Sequence, residues 1–305
     1  MNKFQIAQIV CSYLPPIISQ NIRNKIVTIQ DGEKLKVDFK KRSITGSIFP
    51  GNTSDFHAMI FGVNGFYDWR NIILVHEILK HKKGDIIEVG ANVGTETIAL
   101  TDLASPNSVY AFEPLPQNFE YLRKIINLNS FNNLFIYNQL VSDFPGKTHF
   151  KIPNENQSGS GHIASSSDKN TQEFEVITLD EKLAHLNSFS TILIDVEGFE
   201  YQVLKGGLNL INKFKPYVIC EVNKKFLQQR GGLTIEQFFG FFESNNYTPY
   251  YIDRFGLKKV DIQNFELRYN KNWLCIPNEY LAQQTKLSNA IAINAFNPLI
   301  KHVIL

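Results

Sequence analysis

Four apolar runs in this chain each close on a carboxylate: Glu88, Glu113, Asp195 and Glu221. Acids at the ends of strands can accept hydrogen bonds from a ligand's hydroxyl and amino groups, or take up a proton. The first run sits in Asp85-Ile-Ile-Glu-Val-Gly-Ala-Asn-Val-Gly94, where a stretch of β-strand composition breaks into a turn carrying Gly90, Asn92 and Gly94. A helix-forming stretch, Thr95 to Ala104, comes directly after. Strand, glycine turn and helix together bring backbone N–H groups and a helix N-terminus against a nucleotide-like ligand. Glycine suits such a turn because it tolerates positive φ and lets a ligand approach the backbone.

The second run, Ser108-Val-Tyr-Ala-Phe-Glu113, places its acid nineteen residues after Gly94. That is close to the distance at which a strand-end carboxylate reaches ribose hydroxyls. The two motifs together favour an adenosine-containing ligand. Gly-x-x-x-Gly departs from the G-x-G-x-x-G of dinucleotide sites, so S-adenosylmethionine (SAM) fits better than NAD. In the third run, Thr191–Val196, residues i and i+2 of a strand share a face, which would point Asp195 and Glu197 to one side at the sheet's open edge. Asp195 is assigned mainly to the active site. Glu197 is divided between that site and the N-terminus of a helix expected over Phe199–Asn212. Glu221 ends the run Pro216–Val222 at the same edge. His162 is a lone histidine in a Gly/Ser-rich stretch, residues 153–173, whose composition suits a lid or binding loop.

These acids need a sheet to carry them. Alternating strand and helix patterns argue for a mostly parallel α/β sheet with helices on both faces. Before it, Ile6, Ile9, Val10, Tyr13 and Leu14 follow helical spacing and predict a short amphipathic helix. Residues 25–63 then alternate β-like runs (Ile26–Ile29, Leu35–Phe39, Ser43–Phe49) with turns, and Asp55 reads as a helix N-cap. A helix over Ile72–Leu79 feeds the first core strand. Pro116 opens a helix with Phe119, Leu122 and Ile126 on its buried face. Leu134–Leu140 is the expected third strand, Glu181–Leu186 a short helix capped by Asp180, and Leu233–Glu243 another helix. Pro249–Asp253 and Trp273–Pro277 are the last two strands. The expected division is an accessory segment over 1–82, a core domain over 83–277 and a helical arm over 278–305 that serves as a terminal arm or a homo-oligomer contact.

The motifs also occur in a recognisable order. Asp85–Gly94, Val109-Tyr-Ala-Phe-Glu-Pro114, Gln117-Asn-Phe-Glu-Tyr-Leu-Arg123, Thr178-Leu-Asp180, Ile194-Asp-Val-Glu-Gly198, Val203-Leu-Lys-Gly206 and Pro216-Tyr-Val-Ile-Cys-Glu221 resemble the FkbM family of SAM-dependent methyltransferases. Leu193 stands where that family often has a lysine. The resemblance implies a class I, Rossmann-like sheet of seven mostly parallel strands with an antiparallel final hairpin. It also implies SAM as cofactor, held by Glu88, Gly90, Asn92, Gly94, Thr95, Glu113 and Asp195, with Ser142 and Asp143 near the adenine. The segment around Phe66, Tyr67 and Trp69 would lie near the cofactor entrance.

An O-methyltransferase acting on a hydroxyl of a sugar, a glycan or a secondary metabolite is the expected function. Asp195 is the leading base, followed by His162 and Glu197, and Glu221 contacts the acceptor. The polar lid stretch favours a hydroxyl-rich acceptor. The alternatives are an NAD-dependent oxidoreductase, against which the glycine spacing speaks, and a SAM-binding protein without catalysis. No metal is called for; an oxygen site of Asp195, Glu197 and Glu221 is the lesser reading. With 31 basic and 29 acidic residues the net charge is +2, so no nucleic-acid partner is implied. Cys11, Cys220 and Cys275 show no paired spacing, which suggests a reducing, cytoplasmic setting. The first twenty residues are too short and too interrupted for a signal peptide or a membrane span.

Overall fold

The computed structural model describes residues 1–152, 161–163, 170–260, 262 and 271–300, leaving aside the side chains of His162 and Lys271. The N-terminal segment runs α1 (Lys3–Ser12), α2 (Pro16–Ile26), α3 (Ile29–Leu35), β1 (Asp38–Arg42), β2 (Ile48–Asn52), α4 (Phe56–Asn64) and α5 (Trp69–Leu79). The predicted α1 is present, but its apolar face is turned around: Phe4, Ala7 and Cys11 are buried, whereas Ile9 and Tyr13 are 53% and 79% exposed. Both stripes fit helical spacing, and packing against α2 and α4 selects the first. The strand expected at Ile26–Ile29 is instead the junction of two helices. Pro16 starts α2 at its first turn, and Thr28 with Asp31 forms a capping box that starts α3. β1 and β2 pair antiparallel, with Lys40 opposite Pro50, but both lie further along than the runs expected at Leu35–Phe39 and Ser43–Phe49, because α3 takes up Leu35. Asp55 caps α4, accepting from Ala58 N at 2.8 Å.

The core follows as β3 (Asp85–Val89), α6 (Thr97–Ala104), β4 (Val109–Phe112), α7 (Pro116–Asn129), β5 (Leu134–Tyr137), β6 (Leu140–Val141), β7 (Gly146–Lys151), β8 (His162–Ile163) and β9 (Thr171–Ile177). Then come α8 (Leu179–Lys182), β10 (Phe189–Ile194), α9 (Glu200–Gly206), α10 (Leu208–Phe214), β11 (Tyr217–Val222), α11 (Lys224–Gln229), α12 (Ile235–Ser244), β12 (Tyr247–Asp253), β13 (Gly256–Lys258), β14 (Lys271–Pro277) and α13 (Gln284–Ala295). The main sheet has the order β13-β12-β14-β11-β10-β3-β4-β5. Its strands β11, β10, β3, β4 and β5 are parallel, and β14, β12 and β13 each pair antiparallel with their neighbours, so that β14 and β13 run against the rest and β12 with them. This is the class I, Rossmann-like arrangement, with β13 as an eighth strand beyond the seven expected. Successive residues serve opposite faces: Ile86 packs in one core cluster and Ile87 in the other. Such double burial is why these strands read as continuous apolar runs.

A second sheet, β6-β9-β7-β8, stands beside the first. It corrects the third-strand expectation, because the run Leu134–Leu140 is divided between the two sheets. The break falls at Asn138, whose Nδ2 donates to the carbonyls of Glu113 at 2.9 Å and Pro114 at 2.7 Å. Phe150, Phe174, Val176, Leu140 and Leu115 form the small core of this second sheet. Of the stretch expected as a lid, Gly161–Ile163 and the part from Asn170 onward belong to or adjoin β8 and β9; 153–160 and 164–169 lie outside the described residues. Thr178, not Asp180, caps α8. Asp180 instead accepts from Asn209 N at 3.0 Å and Leu210 N at 2.9 Å, at the start of α10. The long helix expected over Phe199–Asn212 is broken at Gly207 into α9 and α10. α13 lays Leu287, Ile291 and Ala295 into the same core as Leu74 and Leu274. Among the described residues no helix is long and apolar enough to cross a membrane.

Candidate active site

A cavity of about 460 Å³ lies at the C-terminal ends of β3, β4, β10 and β11, where open α/β sheets place their ligands. Its walls differ in character. β4 and the second sheet contribute Phe112, Leu115, Leu140, Val141, Phe150 and Ile163. β3, β10, β11 and the start of α6 contribute Glu88, Asp195, Glu197, Glu221 and Glu96. With Glu33, Asp68 and Glu113 the lining holds eight carboxyl groups.

The glycine turn is built for protein packing first. Gly90 has φ +90°, and a Cβ there would overlap the carbonyl oxygen of Asp195. Its lack of a side chain lets the ends of β3 and β10 close together, so its first partner is backbone and not ligand. Gly94, at φ +84°, would drive a Cβ against Ile125 and within 2.9 Å of Leu122. It permits the approach of α7 and does not line the cavity. Asn92 sits at φ +50° and donates from its backbone N to Glu113 Oε2 at 2.8 Å. Thr95 is buried and lines the cavity.

Glu113 is buried and heavily partnered. Leu115 N donates to its Oε1 at 2.9 Å and Asn118 Nδ2 at 3.2 Å, alongside the Asn92 bond. Burial raises its carboxyl to about 7 against the pull of those donors. Glu88 is equally buried, yet its Oε2 has no hydrogen-bond partner. Burial raises Glu88 to about 8, the Glu113 charge adding to the effect and Thr97 opposing it.

Asp195 follows β10 and faces the cavity. The surrounding protein withdraws bulk water, and its carboxyl rises to about 7; Glu197 adds to this and a hydrogen bond with the Glu221 carboxyl opposes it. Such a bond between two carboxyls requires one of them to carry the proton. Asp195 and Glu197 both line the cavity, but not by strand alternation: β10 ends at Ile194, and Glu197 has turned into the left-handed region at φ +55°. Arg230 holds it there, donating from Nη1 to the Glu197 carbonyl at 2.9 Å and standing 3.7 Å from Oε2. Glu197 rises to about 7 through burial and the charge of Glu221, with Arg230 opposing. Glu197 does not cap α9; Glu200 does the local bonding, accepting from Gly198 N at 2.9 Å.

Ser142 and Asp143, expected near the adenine, do not line the cavity. Ser142 lies under Gly206, and Asp143 pairs with Lys205 at 2.6 Å. The lining from that part of the chain is Gln139, Leu140 and Val141, because the chain has already crossed to the second sheet. His162 is placed in β8 opposite Lys151, and its side chain lies outside the described residues. Among the described residues, no group of three or more His, Cys, Asp or Glu side chains is arranged to hold a metal.

Beside Tyr67, whose segment was expected near the cofactor entrance, several lining residues escaped the sequence reading. Tyr67 is pushed up by burial and then by the charges of Glu221, Asp195, Asp68 and Glu96. Its ring lies 4.9 Å from that of His57, whose Nδ1 is 3.3 Å from Asn92 Nδ2. Asp68 caps α5 and receives Arg70 Nε at 2.9 Å. Burial alone would raise Asp68, but the Arg70 charge and hydrogen bonds hold it below the usual carboxylate range. Glu96 accepts from Asp68 N at 3.1 Å through Oε1, and its Oε2 has no partner. Only Glu96 carried a local signal, an acid two residues beyond Gly94.

A family profile described as the methyltransferase FkbM domain matches residues 88–249, more than half of the chain. No curated protein matches significantly. Among solved structures, the chain is similar to methyltransferase FkbM from Methylobacillus flagellatus KT, with 12% identity and a TM-score of 0.43 over 90% of this chain and 58% of that one. TYW2 from M. jannaschii, solved in complex with AdoMet, is similar at 16% identity and a TM-score of 0.36, over 79% of this chain and 84% of its own. A putative O-methyltransferase from Klebsiella pneumoniae is similar at 11% identity and a TM-score of 0.39, over 69% and 81%.

Proposed function

Because the chain belongs to the FkbM methyltransferase family, we propose that its cavity binds SAM and that the protein methylates a hydroxyl of a sugar, a glycan or a secondary metabolite. The acidic wall carries this reading. SAM brings a sulfonium and an ammonium, and buried carboxyls with unpartnered oxygens at Glu88 and Glu96 suit cationic donors. The apolar wall of Phe112, Leu115 and Val141 suits a planar base. Glu113 Oε2, with one donor, retains acceptor capacity for a ribose hydroxyl. The Gly-x-x-x-Gly spacing of the turn, unlike the G-x-G-x-x-G of dinucleotide sites, argues against the oxidoreductase reading.

When bound, SAM supplies an electrophilic methyl group on a positively charged sulfur. The chain's own task is to hold the acceptor oxygen in line with it and to receive the hydroxyl proton. Asp195, which faces the cavity, is the group assigned to take that proton, a contribution worth ~10²–10⁴-fold. Aromatic Tyr67, Phe150 and Phe199 offer faces against which a sugar ring can pack. Calorimetry with SAM, S-adenosylhomocysteine (SAH) and NAD, followed by methyl transfer to a panel of hydroxyl compounds, tests the reading. SAH binding, no NAD binding and methylation of at least one hydroxyl are expected; NAD binding in preference to SAH overturns it.

A further inference from the structure

We propose that the turn joining α1 and α2 is a docking tip that seats in the surface of a bilayer containing anionic lipid. The inference concerns a surface outside the cavity and does not depend on what the cavity binds. α1 and α2 pack against each other as a hairpin. Cys11 Sγ ties them, donating to the Ser19 carbonyl at 3.5 Å. Phe4, Ala7 and Cys11 fill the small core beneath. The opposite stripe of α1, Ile9 and Val10 continued by Tyr13, stays exposed, and so does Ile18 in the first turn of α2. Leu14 and Ile17, between them, are half-buried. Residues 4–22 carry no charged side chain.

A contiguous apolar tip of this kind marks a contact surface, because folded chains seldom leave one to water. The charge around it says what it meets. Lys3 and Lys25 stand at the ends of the two helices remote from the tip, and Lys3 pairs with Asp31 at 2.9 Å. Residues 1–42 hold eight of the 31 basic side chains and three of the 29 acidic ones, a net +5 against −3 for the rest of the chain. Of these cations Lys25, Lys34, Lys36 and Lys40 are exposed. A second copy of the chain would bring the same positive excess to the contact, and a nucleic acid has no use for an aliphatic tip. An anionic bilayer answers both features: its headgroups attract the cations and its interface buries the apolar side chains. Tyr13 suits the headgroup level, with an apolar ring and a polar hydroxyl. With ten and eleven residues, α1 and α2 are too short to span a bilayer, so the contact is peripheral.

Flotation of the full chain with vesicles of phosphatidylcholine and phosphatidylglycerol in equal parts, and with phosphatidylcholine alone, tests this. Wild type is expected to float with the anionic vesicles and to bind neutral ones about tenfold more weakly. Ile9→Ser combined with Tyr13→Ser is expected to lower affinity for both by about tenfold or more. Its melting temperature stays that of wild type, since both side chains are exposed. Lys25→Glu is expected to weaken binding to the anionic vesicles only, and by less as salt is added. A wild type that floats with neither vesicle overturns the proposal. Binding that survives Ile9→Ser with Tyr13→Ser and vanishes in salt overturns the seated tip and leaves a surface attraction. Self-association of wild type in sedimentation, lost in the double variant and without vesicle binding, gives the tip to a second copy and overturns the membrane contact.

Discussion

Glu88 and Glu113 stand at the C-terminal ends of neighbouring parallel strands, each 4% exposed, and yet they do opposite things. Glu113 receives three donors from Asn92, Leu115 and Asn118, and so ties the glycine turn to the start of α7. Glu88 leaves an oxygen unanswered. Burial raises both carboxyls. The difference lies in the donors around them: Glu113 staples the protein and keeps only its remaining acceptor capacity for a ligand, whereas Glu88 offers an oxygen with no partner. Position at a strand end marks a residue as near the site without saying which of these roles it has.

The harshest test of this contrast is to force apart the strand ends that bring the acids together. Gly90→Val would drive Cβ into the Asp195 carbonyl at a positive φ. A loss of about 3 kcal/mol or more in folding stability is expected, read from urea unfolding. A stable variant that merely fails to bind SAH would mean instead that Gly90 serves the ligand's approach to the backbone. Asp195→Asn comes next. With a verified acceptor, methyl transfer is expected to fall ~10²-fold or more while SAH affinity changes little; full activity would pass the base role to Glu221 or Glu197.

The pair itself is compared by matched amide substitutions. In Glu113→Gln an NH₂ must face a backbone N–H, so a loss of about 1–3 kcal/mol is expected. In Glu88→Gln the NH₂ replaces a group with an unpartnered oxygen. Glu88 titrates higher in the folded chain than in the unfolded one, so its ionisation weakens the fold as pH rises from about 4.5 to about 8. Glu88→Gln is therefore expected to melt above wild type at pH 8.5, with the advantage gone near pH 4.5. A lower melting temperature at pH 8.5 would mean that Glu88 is as firmly partnered as Glu113. The smallest effect belongs to Asp143→Ala. Its pair with Lys205 is largely exposed, worth about 0–1 kcal/mol, and lies off the cavity, so SAH affinity within about twofold of wild type is expected.

The amino-acid sequence by itself determined the local units: the β3 strand with its glycine turn, the acids closing β4, β10 and β11, the cap at Asp55 and the helix start at Pro116. These follow from period, spacing and turn chemistry within a few residues of one another. It also carried the fold class, since five apolar runs separated by helices leave few sheets to build. What the tertiary structure decided is which alternatives were used. α1 has two apolar stripes and buries Phe4, Ala7 and Cys11, because α2 and α4 lie on that side. The run Leu134–Leu140 splits because Asn138 binds carbonyls at the end of another strand. Ser142 and Asp143 leave the cavity lining with it, and Asp68 joins Tyr67 there from a segment that precedes the sheet. Whether a strand-end acid is answered depends on donors that are distant in sequence, as Arg230 is from Glu197. Spacing along the chain cannot encode that, because the energy of a buried charge is set by what surrounds it in three dimensions.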